Sequence, residues 1–416
     1  MNPCLHFRPL RPAVATDGAT TLDLLITVRS PERPAATGAQ RPPLNLALVI
    51  DRSGSMAGSK LSHARKAART LAAELTERDR LAIVTFDEDV TVLVPSQPVR
   101  DPLPFISAIN TITAGGCTAL FDGWLAGATQ VATQLNPQGL NRVLLLSDGK
   151  ANEGLTDAAA IAAKVEGLTQ RGISTSAFGL GRGFDEDLMG ALAAAGDGTL
   201  ALIENPTQLA DLYASELQGL ASTLGRRVSL GIRTQNGAEL VDLLNDLPRT
   251  SAGNVQLPNL RYGQELNVGV RLQLPAWAPN QPIATVRLAW ESPEVEGRQQ
   301  RIETLTLPVM PQADLEELDA DGQVAEQLAL LQANRERRRA IEELDRGDLG
   351  KALASIEGID AHLAGLTQSE AVRRERRLLA EKQALMQQDR NLSRKRLRSE
   401  SLRSSLNVWE SRDDQA

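Results

Sequence analysis

Five oxygen-bearing side chains fall at three places where an apolar segment ends or a glycine pair bends the chain. Asp51, Ser53 and Ser55 follow the apolar run 44–50 as Asp51-Arg52-Ser53-Gly54-Ser55. Thr118 follows Gly115-Gly116-Cys117, and Asp148-Gly149 follows Val143-Leu144-Leu145-Leu146-Ser147. Hydroxyl and carboxylate oxygens are hard donors. A set with few direct carboxylates suits Mg2+, which keeps several waters, and Mn2+ or Ca2+ can also accept it. Ser53 and Ser55 are two apart, so in a loop both hydroxyls can point at one ion. Gly54 permits the turn between them, and Gly115-Gly116 permits close approach of a second loop. Each piece alone has an ordinary reading: Asp-x-Ser-x-Ser after a strand is a polar loop and helix cap, and Asp-Gly is a turn. Metal binding is the reading of the three together, at ends that an open α/β sheet brings to one edge.

That edge requires a parallel sheet, and residues 43–222 have the pattern for one. Strands are predicted at 44–50, 80–86, 142–147, 172–178 and 199–203, with 90–94 an antiparallel neighbour. Helices are predicted at 59–77, 102–111, 119–135, 156–170, 185–195 and 206–220. The run at 44–50 is apolar but for Asn45, as in strands buried on both faces. Leu61, Ala64, Ala68, Leu71 and Leu75 form one helix face. Such alternation implies right-handed crossovers and a doubly wound, mostly parallel Rossmann-like sheet. Over 223–310 the runs are short and separated by Pro, Gly and Asn, which predicts an antiparallel β-sandwich. The β-like pieces in 1–42 have no core of their own. They are expected to pair into that sandwich, making the α/β domain an insertion. From 311 to 398 three apolar stripes (Val324, Leu328 and Leu331; Leu349 to Leu363; Leu378 to Met386) predict a helical bundle or arm. Residues 399–416 read as a flexible tail.

In chain order and residue type, the three pieces resemble the metal-ion-dependent adhesion site (MIDAS) of von Willebrand factor type A (VWA) domains. The resemblance covers about 43–220 and extends to Phe178-Gly179-Leu180-Gly181 and Asp197-Gly198-Thr199. It implies that Ser53 and Ser55 ligate the ion directly and that Thr118 does so directly or through water. Asp51 and Asp148 would hold ligated waters and hydroxyls in orientation. It also implies an open position on the ion, filled by a Glu or Asp of a protein partner. Arg52, Lys150, Asn152 and Glu153 could then rim the partner site, although such loop residues are as readily plain solvated surface. The layout is similar to bacterial cytoplasmic and inter-alpha-trypsin-inhibitor-like VWA proteins. It implies an adaptor or scaffold. The alternative is a non-catalytic subunit beside an AAA+ ATPase of the MoxR type, in a metal-chelatase-like complex, or with kinase and phosphatase partners.

Composition narrows the field. The net charge of −7 and pI near 5.3 argue against non-specific binding of nucleic acid or membrane by the whole chain. No run of about 18 apolar residues is present, so no transmembrane helix is expected. The start lacks a secretory core, and the two cysteines, Cys4 and Cys117, are far apart. A reducing cytoplasm fits that usage. Three histidines and no His/Asp/Glu cluster offer no hydrolytic zinc site. Ser147-Asp148-Gly149 has no histidine partner, and neither a phosphate-binding nor a dinucleotide glycine loop stands at a strand end. The chain reads as a non-enzyme. Arg373, Arg374, Arg376 and Arg377, with Arg394-Lys395-Arg396 and Arg398, form two basic clusters near Ser399, Ser401, Ser404 and Ser405. These clusters read as a solvated helix face or as docking for an acidic partner or nucleic acid, which phosphorylation would modulate.

Overall fold

The computed structural model describes residues 2–33, 41–149, 153–181, 183–250, 252–366, 369–388 and 393–397. The chain divides into two compact units. One spans 34–224 with 293–296, and the other gathers 1–33, 225–292 and 297–416.

The chain opens with β1 (Cys4–Pro9), β2 (Val14–Ala15) and β3 (Thr20–Arg29). It then enters the α/β unit with β4 (Leu44–Asp51), α1 (Ser59–Glu74), β5 (Arg80–Phe86), β6 (Val90–Pro98), α2 (Leu103–Asn110) and α3 (Leu120–Thr133). There follow β7 (Leu140–Ser147), α4 (Ala158–Thr169), β8 (Ile173–Leu180), α5 (Glu186–Ala195), β9 (Leu200–Ile203) and α6 (Leu209–Ala221). The sheet order is β6-β5-β4-β7-β8-β9, parallel except for β6. Strand order therefore runs outward in both directions from β4 and β7, and the crevice for a ligand lies between their carboxyl ends. Alternate residues of β4 face opposite layers. Leu46, Leu48 and Ile50 join the core formed with α1, α2 and α6, while Ala47 and Val49 lie against Gly127 of α3.

Helix α1 stops three residues short of the expected end. Leu75 is extended, and the Asp79 carboxylate takes hydrogen bonds from the Thr76 amide at 2.8 Å and its hydroxyl at 2.9 Å. A side-chain turn thus replaces the last helical turn. Strand β6 is longer than predicted because register shifts near Leu81 and Ile83 let it keep pairing to Pro98.

The remaining strands are β10 (Thr223–Thr234), β11 (Glu239–Leu243), β12 (Val255–Gln256), β13 (Leu260–Arg261), β14 (Glu265–Leu274), β15 (Ala284–Glu291), β16 (Arg298–Leu305) and β17 (Val309–Met310). One antiparallel sheet has the order β1-β3-β14-β11, and another has β12-β10-β15-β16 with β13 beside β10. Strand β3 pairs with β14 from Arg29–Glu265 to Thr20–Leu274. Asp23 clamps Arg271 at 2.7 and 2.8 Å across that pair. Along the chain the α/β unit is thus inserted between β3 and β10 of the other unit.

Helices α7 (Gln312–Glu317), α8 (Gly322–Asp345), α9 (Leu349–Ala364) and α10 (Glu370–Gln388) follow. The stripe Val324, Leu328 and Leu331 of α8 packs on Leu25 and Leu244 of the strand-rich part. Another face, Ala329, Ala333, Ala340 and Ile341, packs with α9 and α10. One helix therefore serves two cores, and the helical segment shares a unit with the two sheets. Part of the basic charge is satisfied internally: Arg376 pairs with Asp360 at 2.6 Å, and Arg394 pairs with Asp345. Residues 398–416, with the serines of the tail, lie outside the described residues. Among the described residues no helix is long and apolar enough to cross a membrane.

Candidate metal centre

Strand register decides what meets at the carboxyl edge. Ile50 lies beside Leu146 in the parallel β4–β7 pair, so Asp51 stands level with Ser147 and Asp148 follows one residue beyond. Asp51 and Asp148 are both buried. Asp51 Oδ1 accepts the Ser53 amide at 2.8 Å, which folds the loop back, and Asp51 Oδ2 accepts the Ser147 hydroxyl at 2.5 Å. The hydroxyls of Ser53 and Ser55 lie 3.1 Å apart, and Ser55 Oγ donates to Asp148 Oδ1 at 2.6 Å.

Thr118 enters from the loop before α3. Gly54 N donates to Gly116 O at 3.1 Å and Gly115 N to Arg52 O at 2.8 Å, so the two loops are stitched by backbone. A Cβ added to Gly149 would lie 3.1 Å from Thr118 Oγ1 and 3.7 Å from Asp51 Oδ2. Both oxygens therefore converge on the cradle that this glycine leaves open. Any larger residue at 149 would fill it.

The chemistry of the donors fits a divalent ion. Among the described residues no three His, Cys, Asp or Glu side chains stand together as a metal cluster. An ion here would depend on the hydroxyls of Ser53, Ser55 and Thr118, with Asp51 and Asp148 behind them. Burial pushes the Asp51 carboxyl up, hydrogen bonds from Ser147 and Ser53 pull it back, and the nearby Asp148 charge raises it further. Two carboxylates sheltered side by side have an electrostatic cost that a cation offsets.

Of the rim candidates, Arg52 is turned inward. Its guanidinium pairs with the buried Asp87 at 2.9 Å, and the Asp87 carbonyl accepts the Ala119 amide at 2.7 Å. Arg52 thus braces the loop that carries Thr118. The opposite charge that holds Arg52 stands at the β5–β6 turn. Glu153 is exposed, while Lys150 and Asn152 lie outside the described residues. Cys117 is exposed beside Thr118.

Three contributors were not singled out from sequence: Ser147, Asp87 and Lys60, whose ammonium pairs with Asp148. Ser147 carried a signal, since it adjoins Asp148 at a strand end. The pairing partners of Asp87 and Lys60 lie 35 and 88 residues away, and spacing along the chain does not reveal them.

The family model for the von Willebrand factor type A domain matches residues 45–215. The chain is 28% identical over 323 residues to the uncharacterized protein sll0103 of Synechocystis sp., covering 74% of this chain and 76% of that one. It is 32% identical over 245 residues to a UPF0353 protein of Mycolicibacterium paratuberculosis, covering 53% of this chain and 70% of that protein. The solved von Willebrand factor type A protein from Catenulispora acidiphila shares the fold, with a TM-score of 0.68 at 17% identity, over 90% of this chain and 89% of that one. With the strand order, the paired carboxylates and the three hydroxyls already in place, the chain belongs to the von Willebrand factor type A domain family.

Proposed function

We propose that this protein is a metal-dependent protein-interaction module, a non-catalytic adaptor that captures an acidic side chain of a protein partner through a Mg2+-type ion. The observation that carries the reading is the hydroxyl chain at the carboxyl edge, with Ser55 Oγ between Ser53 Oγ and Asp148 Oδ1. Ser53, Ser55 and Thr118 are the proposed ligands. Asp51 and Asp148 orient them and accept from bound waters. A bound divalent ion supplies Lewis acidity and a coordination position open to a carboxylate. Neutral hydroxyls remove little of its charge, so an incoming Asp or Glu is held firmly. Among the described residues no histidine stands in a metal-type cluster with acidic side chains, which supports a binding role over catalysis. A cytoplasmic site of action belongs to the same proposal.

The test is a calorimetric titration of Mg2+ and Mn2+ into the wild-type chain and Asp51→Ala. The substitution should weaken ion uptake by about 100-fold, the upper range for loss of a residue that orients metal ligands. The far-ultraviolet circular dichroism should stay unchanged. Wild-type affinity in a folded Asp51→Ala variant would overturn the assignment.

A further inference from the structure

Lys60 occupies the first turn of α1. A cation there opposes the helix dipole, whose positive end it adjoins, so the position is not explained by helix stability. Its ammonium turns back over the preceding loop. It pairs with Asp148 Oδ2 and lies 3.3 Å from the Ser55 carbonyl oxygen. Its stem runs beside the loop after β8, where a Cβ added to Gly181 would lie 3.7 Å from Lys60 Cε. The lysine side chain is 33% exposed and that of Asp148 wholly buried. The two oxygens of Asp148 are therefore divided: Oδ1 faces the Ser55 hydroxyl and Oδ2 faces a fixed positive charge.

We propose that Lys60 is the internal counter-charge of the metal site, setting how tightly the site holds its divalent ion. The inference rests on the metal-site reading above. Asp51 and Asp148 bring two negative charges, and the ammonium offsets one of them at a point adjacent to the ligand hydroxyls. An ion entering among Ser53, Ser55 and Thr118 meets like charge from Lys60. In a sheltered site that repulsion is larger than it would be in water. The consequence is a weaker hold and an ion that exchanges readily.

The test compares wild type, Lys60→Met and Lys60→Arg in the full chain, titrated with Mg2+ and with Mn2+ by calorimetry and melted by circular dichroism. Methionine keeps an unbranched stem beside Gly181 and removes the charge; arginine keeps the charge. Lys60→Met should bind both ions about tenfold more tightly, and Lys60→Arg should stay within about threefold of wild type, given a fixed charge near the ion. If Lys60→Met melts well below wild type, Lys60→Gln carries the same comparison. Binding by the Met variant that equals or falls below wild type overturns the inference and leaves the metal reading standing. Uptake by the Met variant alone would support it in its strongest form. If no form takes up either ion, the metal reading fails and the inference fails with it.

Discussion

At the scale of single residues, the centre is a bargain between burial and charge. Asp51 is held in place by the Ser53 amide and the Ser147 hydroxyl, while burial and Asp148 push its carboxyl above the usual range. The ion needs that carboxylate deprotonated. A raised pKa means that protons compete for it at a higher pH than for an ordinary aspartate. Mg2+ affinity should therefore begin to fall on acidification from neutrality while exposed carboxylates are still ionised. A titration series from pH 7 to pH 4 reads this directly; an affinity that stays flat until exposed carboxylates protonate would contradict it. The five proposed metal-site residues were legible because each stands near a strand or helix end and three of them, Ser53, Ser55 and Asp148, adjoin a glycine. Lys60 and Asp87 were not, because their roles come from pairings made only after the sheet forms. The pairing of Arg52 was hidden for the same reason: an arginine inside a loop motif gives no hint that a buried aspartate awaits it.

At the scale of elements, the edge depends on how closely α3 approaches the sheet. A Cβ at Gly127 would come within 2.3 Å of Val49 Cγ2, and one at Gly123 within 2.5 Å of Phe86. Gly127→Ala should push α3 off the sheet, destabilise the unit by about 1–3 kcal/mol as overpacked cores do, and weaken ion binding by displacing Thr118. Urea unfolding and the metal titration check the two effects separately. At the opposite end of the sheet, Asp79 gathers Arg41, Leu44 N and Thr76. Burial opposes its charge, but the Arg41 guanidinium and the two amides outweigh it and hold the carboxyl below the usual range. Its contribution is therefore fully present above the unfolded carboxyl's pKa and is lost as pH falls through the lower folded value. Asp79→Asn should cost about 2 kcal/mol at neutral pH, since it strips a partly buried arginine of its partner. The gap to wild type should close only in strong acid, as urea melts at both pH values would read. The alternation of apolar runs made the order of these elements legible. The end of α1 was hidden because it depends on a side-chain turn at Asp79.

At the scale of the whole molecule, the chain makes β3, leaves to build the α/β unit, and afterwards adds β11 and β14 to the same sheet, with Arg29 and Glu265 paired across 236 residues. Residues of the first 33 thus depend on strands far downstream, which composition hinted at through pieces too small to bury a core of their own. What the sequence concealed was the double duty of α8, whose stripes serve the sheet at Leu25 and Leu244 and the helices α9 and α10 at Ala333 and Ile341. The central claim is that the α/β unit captures its partner through an ion. The direct measurement is an affinity pull-down from native cell lysate with the full wild-type chain and Asp51→Ala. It is run in Mg2+ and again in EDTA, with captured proteins identified by mass spectrometry. The account predicts partners that are held in Mg2+ and lost both in EDTA and with Asp51→Ala. Partners retained under all three conditions would contradict it and move the binding function to the two-sheet unit and its helices.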